Sequence, residues 1–143
     1  MQIDFYLLKK HTRVNWWKFL YKLLDKIYKA NKTVYVNVAN VADQEYLDKF
    51  LWTHLVSGFL PHVVQDNEAP TNVPILIGQD RFLEDANKPT VLLNLSGALC
   101  TTWQNASRIL EVIPQNSAAI QKGRELYAYY KKQNNTELHV HNI

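Results

Sequence analysis

Short apolar runs alternate with amphipathic stretches along most of the chain. Runs rich in β-branched and aromatic residues predict strands at Ile3–Leu7, Val34–Val38, Ile75–Ile77, Val91–Leu95 and Arg108–Ile113. Stretches with a helical period predict helices at about Asn15–Ala30, at about Ala42–Trp52, and from near Ser117 to about Lys132. Strands that alternate with helices are typical of a mostly parallel sheet covered on both faces. We therefore expect a three-layer α/β domain.

The first predicted helix has two different faces. The side expected to face the core carries Trp16, Leu20, Leu23, Ile27 and Ala30, and the far side carries Lys18, Lys22, Lys26 and Lys29. A neighbouring stripe at i, i+4, i+7 and i+11 consists of Trp17, Tyr21, Leu24 and Tyr28. This stripe either widens the buried face or presents an aromatic flank to a protein partner. We favour burial, because large aromatic side chains are buried on average.

The last predicted helix also separates into two faces. One side carries Ile120, Arg124, Tyr127 and Lys131, and the other carries Ala119, Gly123, Leu126 and Tyr130. The second side is the better candidate for the core, which leaves an aromatic ring and two cations for a partner. Such a face suits an acidic peptide that ends in an apolar side chain and a free carboxylate, since a guanidinium can bind a carboxylate through two hydrogen bonds.

Length and composition fit one compact domain over residues 1–143, with 47% apolar and 20% charged residues. The segment Asp66–Pro74 contains two prolines among Asn and Asp residues, which indicates a loop rather than a linker. The single cysteine, Cys100, cannot form an internal disulfide, and no export signal is evident in Met1–Lys10, so we expect a cytoplasmic protein. No apolar run reaches the roughly 20 residues that a membrane span needs, so we expect none.

The charge is modest overall but uneven along the chain. The formal net charge is +3, and 8 of the 16 Lys and Arg residues lie in the first 32 positions, against Asp4 and Asp25 there. A mild basic excess favours acidic partners, either protein or nucleic acid. It falls short of the strongly basic composition that indicates a dedicated DNA-binding protein.

The residues give little support to a catalytic, cofactor or metal site. Gly58, Gly78, Gly97 and Gly123 are isolated, and neither G-x-x-x-x-G-K-[ST] nor G-x-G-x-x-G occurs, so we expect no nucleotide-binding loop and no cofactor.

The histidines offer no clear chemistry either. The His139-Val-His141 segment could chelate a metal ion only weakly and is either a frayed polar tail or an edge strand. Neither His54 nor His62 is accompanied by a nucleophile elbow or paired carboxylates, so we expect no catalytic residues.

The order and spacing of several short segments resemble one known family over nearly the whole chain. These segments are Asp4-Phe5-Tyr6-Leu7-Leu8, Thr33-Val34-Tyr35-Val36, Gly58-Phe59-Leu60-Pro61-His62, Val91-Leu92-Leu93-Asn94-Leu95, Arg108-Ile109-Leu110-Glu111-Val112-Ile113 and Arg124-Glu125-Leu126-Tyr127. Together they resemble the chi subunit of bacterial DNA polymerase III.

The resemblance implies a Rossmann-like fold without a nucleotide-binding loop and a non-catalytic accessory role in the clamp loader. It implies two partners: the psi subunit, and the acidic C-terminal tail of single-stranded DNA-binding protein, with only indirect contact to single-stranded DNA. It also implies that Trp52 and Tyr127 enclose the terminal phenylalanine of the tail and that Arg124 binds its carboxylate. Phe59 and Ile113 would lie nearby, and Lys131 would attract the aspartates of the tail.

Two other function classes stay open at this point. One is a degenerate nucleotide-binding or hydrolytic enzyme, which measurable nucleotide binding or turnover would reveal. The other is a direct binder of single-stranded nucleic acid that uses the lysines of the first helix, which a steep salt dependence of binding would reveal. The surface that binds psi is not assigned by the sequence.

Overall fold

The computed structural model describes residues 1–8, 13–53, 60–65, 73–80 and 90–143. The strands are β1 (Gln2–Leu7), β2 (Thr33–Asn37), β3 (His62–Val64), β4 (Ile75–Gly78), β5 (Thr90–Asn94), β6 (Arg108–Ile113) and β7 (Glu137–Asn142). The helices are α1 (Arg13–Lys29), α2 (Val41–Thr53) and α3 (Ser117–Lys131), with a short 3₁₀ turn at Trp103–Asn105.

The strands form one sheet in the order β3-β4-β2-β5-β6-β1-β7. Every pairing between them is parallel, which confirms the predicted parallel sheet. The predicted strands Ile3–Leu7, Val34–Val38, Val91–Leu95 and Arg108–Ile113 agree with β1, β2, β5 and β6 to within a residue at each end. Central parallel strands are apolar on both faces, and this makes them easy to find in a sequence.

Helices cover the two faces of the sheet in three layers. One face packs on α1 and α2 through a cluster that includes Leu20, Leu24, Leu47, Leu51, Val36, Leu93 and Leu110. The other face packs on α3 and the 3₁₀ turn through Ile3, Phe5, Ile109, Trp103, Leu126 and Tyr130. Adjacent residues of β6 therefore serve different layers, as strand geometry requires.

The predicted helix faces are found where the periodicity indicated, except that Ala30, expected in the core, lies beyond the end of α1 and is exposed. In α3, Gly123, Leu126 and Tyr130 are buried, whereas Arg124 and Lys131 are exposed. In α1, Tyr21 and Leu24 are buried, and Trp17 packs against Tyr46 and Phe50 of α2 with ring centroids 4.7 and 5.1 Å apart. The stripe on α1 thus widens the buried face.

The two edge strands differ most from the sequence prediction. β3 has three residues and was not predicted, since so short a run shows no periodicity. The histidine segment forms β7, so the edge-strand interpretation is correct and the frayed tail is not. An edge strand has one neighbour and is half solvated, which explains the polar composition of β7. No helix in the described part of the chain is long and apolar enough to cross a membrane.

Candidate functional site

A pocket of about 300 Å³ lies at the carboxyl ends of β6, β1 and β7, beside α3. β6 leads into α3 on one face of the sheet, whereas its neighbour β1 leads into α1 on the other face. Connections that diverge in this way leave a crevice at the strand ends, and open α/β sheets commonly bind ligands there. The residues that line the pocket include Phe5, Leu7, Ile113, Pro114, Ile120, Arg124, Tyr127, Val140 and Asn142.

The floor of the pocket is apolar and its rim carries a cation. Phe5 and Ile113 are buried, and the half-buried ring of Tyr127 meets Phe5 edge to face at 5.4 Å. Arg124 is exposed at the rim, and no carboxylate among the described residues lies within ion-pair distance of it. An apolar cavity beside an arginine is suited to a ligand that joins an apolar group to a carboxylate or phosphate.

Gly123 determines how closely α3 approaches this floor. A Cβ atom at this position would overlap Cδ1 of Ile113, so a larger residue here would have to displace the flexible end of the Ile113 side chain. The helix begins at a regular cap, in which Asn116 Oδ1 accepts a hydrogen bond from the Ala119 amide at 2.9 Å. Cap and glycine together hold Arg124 and Tyr127 over the pocket.

A buried polar network crosses the middle of the sheet near its carboxyl edge. Asn37, Asn94 and Glu111 are adjacent in register on β2, β5 and β6. Glu111 Oε1 accepts hydrogen bonds from Asn94 Nδ2 at 3.0 Å and from the Tyr130 hydroxyl at 2.8 Å. Burial raises the pKa of Glu111 from its ordinary value of 4.5 to about 8, so this carboxyl is mostly neutral at pH 7.

This network does not form a metal site. Among the described residues no group of three His, Cys, Asp or Glu side chains is placed to hold a metal ion. Both donors to Glu111 are uncharged side chains, an amide and a phenol, and their hydrogen bonds join β5 and α3 to β6. Its evident effect is to fix these three elements relative to one another.

A family model matches almost the whole chain. Residues 1–137 match the family model described as DNA polymerase III chi subunit, HolC. The chain belongs to the DNA polymerase III chi subunit family. Chi is an accessory subunit of that polymerase, which connects the chain with DNA replication, and the resemblance found in the sequence is confirmed.

Individual relatives agree with this assignment. The chain is 24% identical over 132 residues to DNA polymerase III subunit chi of Pseudomonas aeruginosa, a match that covers 92% of this chain and 90% of the relative. It is 32% identical over 79 residues to the probable DNA polymerase III subunit chi of Rickettsia prowazekii, covering 55% of this chain and 47% of that one.

A solved structure supports the fold. The structure of T4 UvsW matches 99% of this chain with a TM-score of 0.62 and 10% sequence identity, and this chain covers 41% of UvsW. At this identity the likeness concerns the fold alone. It agrees with a Rossmann-like arrangement for this member of the chi family.

The structure brings together only some of the residues that the chi resemblance implies. Ile113, Arg124 and Tyr127 line the same pocket, while Lys131 lies one turn after Tyr127 on the exposed side of α3. Trp52 is 55% exposed and packs against His62 of β3, with ring centroids 5.2 Å apart. Because α2 and α3 cover opposite faces of the sheet, Trp52 does not reach the pocket of Tyr127. Phe59 lies outside the described residues.

Sequence reasoning missed the part of the pocket that β1 and β7 supply. Phe5, Leu7, Val140 and Asn142 line it, but no motif distinguishes them from other strand residues. Their only signal is the position of Phe5 and Leu7 at the end of a strong strand. The register of β7 beside β1 was needed to bring Val140 and Asn142 to the same place.

Proposed function

We propose that this chi-family chain is a non-catalytic, cytoplasmic adaptor that joins the psi subunit to the acidic C-terminal tail of single-stranded DNA-binding protein. The observation that carries this proposal is the apolar pocket with Arg124 at its rim and no acidic partner for that cation among the described residues. Family membership supplies the context of the replicase, since chi is one of its accessory subunits.

The tail would bind with its last residue in the pocket. Its terminal phenylalanine ring would lie on Ile113 against the ring of Tyr127, and the terminal carboxylate would accept two hydrogen bonds from Arg124. Lys131, exposed one turn further along α3, would attract the acidic residues that precede the terminus. The half-buried Tyr127 offers an aromatic wall, and aromatic pairs prefer the edge-to-face and offset arrangements that such a wall permits.

The psi subunit would bind a different surface, because an adaptor must hold both partners at once. Trp52 lies on the other face of the sheet from the pocket, beside the edge strand β3, and leaves 55% of its surface exposed. Tryptophan is among the residues most enriched at the centres of protein interfaces. We therefore assign Trp52 to the surface for psi rather than to the tail pocket.

A double-mutant cycle tests the tail pocket directly. The tail peptide, with a free or an amidated C-terminus, is titrated against the parent chain and against Arg124→Ala. If Arg124 binds the terminal carboxylate, amidation weakens binding to the parent about 30-fold, as expected for a charge-assisted bidentate contact, and has little further effect on Arg124→Ala. Additive losses from the two changes would contradict the assignment.

A further inference from the structure

A third surface lies on the face of the sheet opposite the tail pocket, at the β7 edge rather than the β3 edge beside Trp52, and the proposed adaptor role does not use it. On β1 and β7 the side chains of Tyr6, His139 and His141 share the face that carries α1. His141 stacks on Tyr6 with ring centroids 4.9 Å apart and planes 20° apart, and Tyr6 in turn contacts Phe19 of α1 at 5.5 Å. The three rings form an aromatic column in which only Tyr6 and His141 are stacked, since the planes of Tyr6 and Phe19 are 53° apart. The side chain of His141 at the end of the column is 43% exposed.

Exposed lysines of α1 lie beside this aromatic column. Lys22 and Lys26 follow Phe19 by three and seven residues, so they lie on the same side of α1, and both are exposed. Arg108 of β6 has 36% of its side chain exposed but is paired with the buried Asp4, so its charge is already offset. Lys18 and Lys29 continue the basic face of α1 away from the sheet.

The acidic residues of β1, β7 and the described part of α1 are each paired. Asp4 is buried between Arg108, at 2.7 Å, and His141, at 2.9 Å. Asp25 of α1 is paired with Lys29 at 2.9 Å, and the exposed Glu137 of β7 with His139 at 3.0 Å. The lysines beside the column are therefore not offset by unpaired carboxylates among the described residues.

We propose that this surface, the column of Phe19, Tyr6 and His141 with Lys22 and Lys26 beside it, binds single-stranded DNA directly. Proteins that bind single strands without sequence preference combine aromatic rings, on which bases stack, with cations that follow the phosphates. A base stacks on the exposed edge of the column at His141, and the lysines of α1 contact the adjoining phosphates. An acidic protein would use the lysines but would not need the stacked rings.

The location of this surface allows the chain to hold a DNA strand and the tail at the same time. The tail pocket is formed with α3 on one face of the sheet, and the aromatic column lies on the other face. A tail held in the pocket and a strand held on the column therefore do not compete for the same residues. With few cations the contact is weak, and its salt dependence is modest, because the slope of log K against log salt grows with the number of phosphates neutralised.

The test measures binding of a fluorescent oligothymidylate to the full chain by anisotropy over a series of salt concentrations. The parent binds at low salt, and the Lys22→Gln and Lys26→Gln double variant lowers the slope of log K against log salt by about 1.4, or about 0.7 for each phosphate that a lysine no longer neutralises. A matched control, Lys49→Gln with Lys132→Gln, removes the same charge from other exposed positions and leaves the slope unchanged. His141→Ala weakens binding about fivefold or more at every salt concentration, because the variant lacks the ring on which a base stacks.

Three results would overturn the proposal. The first is no binding by the parent at low salt. The second is an equal reduction of slope in the two lysine double variants, which would indicate an effect of net charge alone. The third is equal binding of a duplex of the same length, whose bases are not available to stack on the column. Thermal melting of each variant establishes that it is folded, so weaker binding reports on the surface.

Discussion

Arg124 supplies the charge of an otherwise apolar pocket, and Lys131 lies on the same helix outside it. Arg124→Ala should weaken binding of the tail by about 2 kcal/mol, roughly 30-fold, because the carboxylate contact is bidentate and partly desolvated. Lys131→Ala should cost under about 1 kcal/mol, and its effect should shrink as salt screens the exposed charge. Peptide titrations at two salt concentrations measure both. Equal effects that disappear together in high salt would contradict the different positions of these two cations.

Glu111 gives the fold a dependence on pH that one substitution removes. The folded state raises its pKa to about 8, so the stability provided by the neutral carboxyl is complete below about pH 4.5 and is lost as the pH rises through 8. The slope over this range is roughly 1.4 kcal/mol per pH unit. Glu111→Gln keeps an oxygen for Asn94 and Tyr130 but cannot ionise, so it should melt at a higher temperature than the parent at pH 8 and at a similar temperature near pH 5.

The stability that Asp4 provides depends on pH in the opposite sense to that of Glu111. Burial alone would raise the pKa of Asp4, but hydrogen bonds from His141 and Arg108 hold it below its usual value. Stability from Asp4 is therefore lost only as the pH falls through the acid range. Because both proteins retain Asp4, its contribution cancels in the comparison. Parallel melting profiles of the parent and Glu111→Gln from pH 5 to 8 would show that Glu111 is not the titrating group.

At the scale of elements, the contact between α3 and β6 depends on the absence of a side chain at Gly123. Gly123→Ala should destabilise the fold by about 1 kcal/mol, because displacing the end of the Ile113 side chain costs about 1 to 3 kcal/mol while the better helix propensity of alanine offsets about 1 kcal/mol. Ile113→Val removes the overlapping Cδ1 atom and should recover part of this stability in the double variant. Urea denaturation measures these differences, and Gln121→Ala, at an exposed position of the same helix, is the control. Equal effects of the two alanine substitutions would contradict the close contact.

The elements also show how far the sequence could predict this fold. β1, β2, β5 and β6 were predictable because strands in the middle of a parallel sheet are apolar on both faces. β3 and β7 lie at the edges, where strands are short or polar, and their signal is correspondingly weak.

The candidate site was predictable only in part, for a related reason. Helical periodicity identified the exposed side of α3 with Arg124 and Tyr127, since a period is a local property. It could not tell which face of the sheet each helix covers, because that depends on how the chain crosses between strands that are distant in sequence. The role of Trp52 in this pocket is implied by the family resemblance alone, and the structure places α2 and α3 on opposite faces of the sheet.

At the scale of the whole molecule, the sheet separates two surfaces that an adaptor needs to keep apart. The pocket of Arg124 lies by α3, and the exposed Trp52 lies on α2 across the sheet. The two sites lie on opposite faces of the sheet, and Trp52 does not line the pocket. Such sites are expected to behave independently, so a substitution in one should leave the affinity at the other nearly unchanged. The partners should accordingly bind together.

The most direct test of the two-surface adaptor compares how two single substitutions affect the binding of each proposed partner. Binding of full-length single-stranded DNA-binding protein and of psi is measured for the parent, Arg124→Ala and Trp52→Ala, each confirmed as folded by circular dichroism. We predict that Arg124→Ala binds single-stranded DNA-binding protein much more weakly than the parent but binds psi equally well. Trp52→Ala should bind psi more weakly and bind single-stranded DNA-binding protein as the parent does. Two results would contradict an adaptor with two separate surfaces. In the first, one substitution weakens the binding of both partners equally; in the second, Arg124→Ala leaves the binding of single-stranded DNA-binding protein intact.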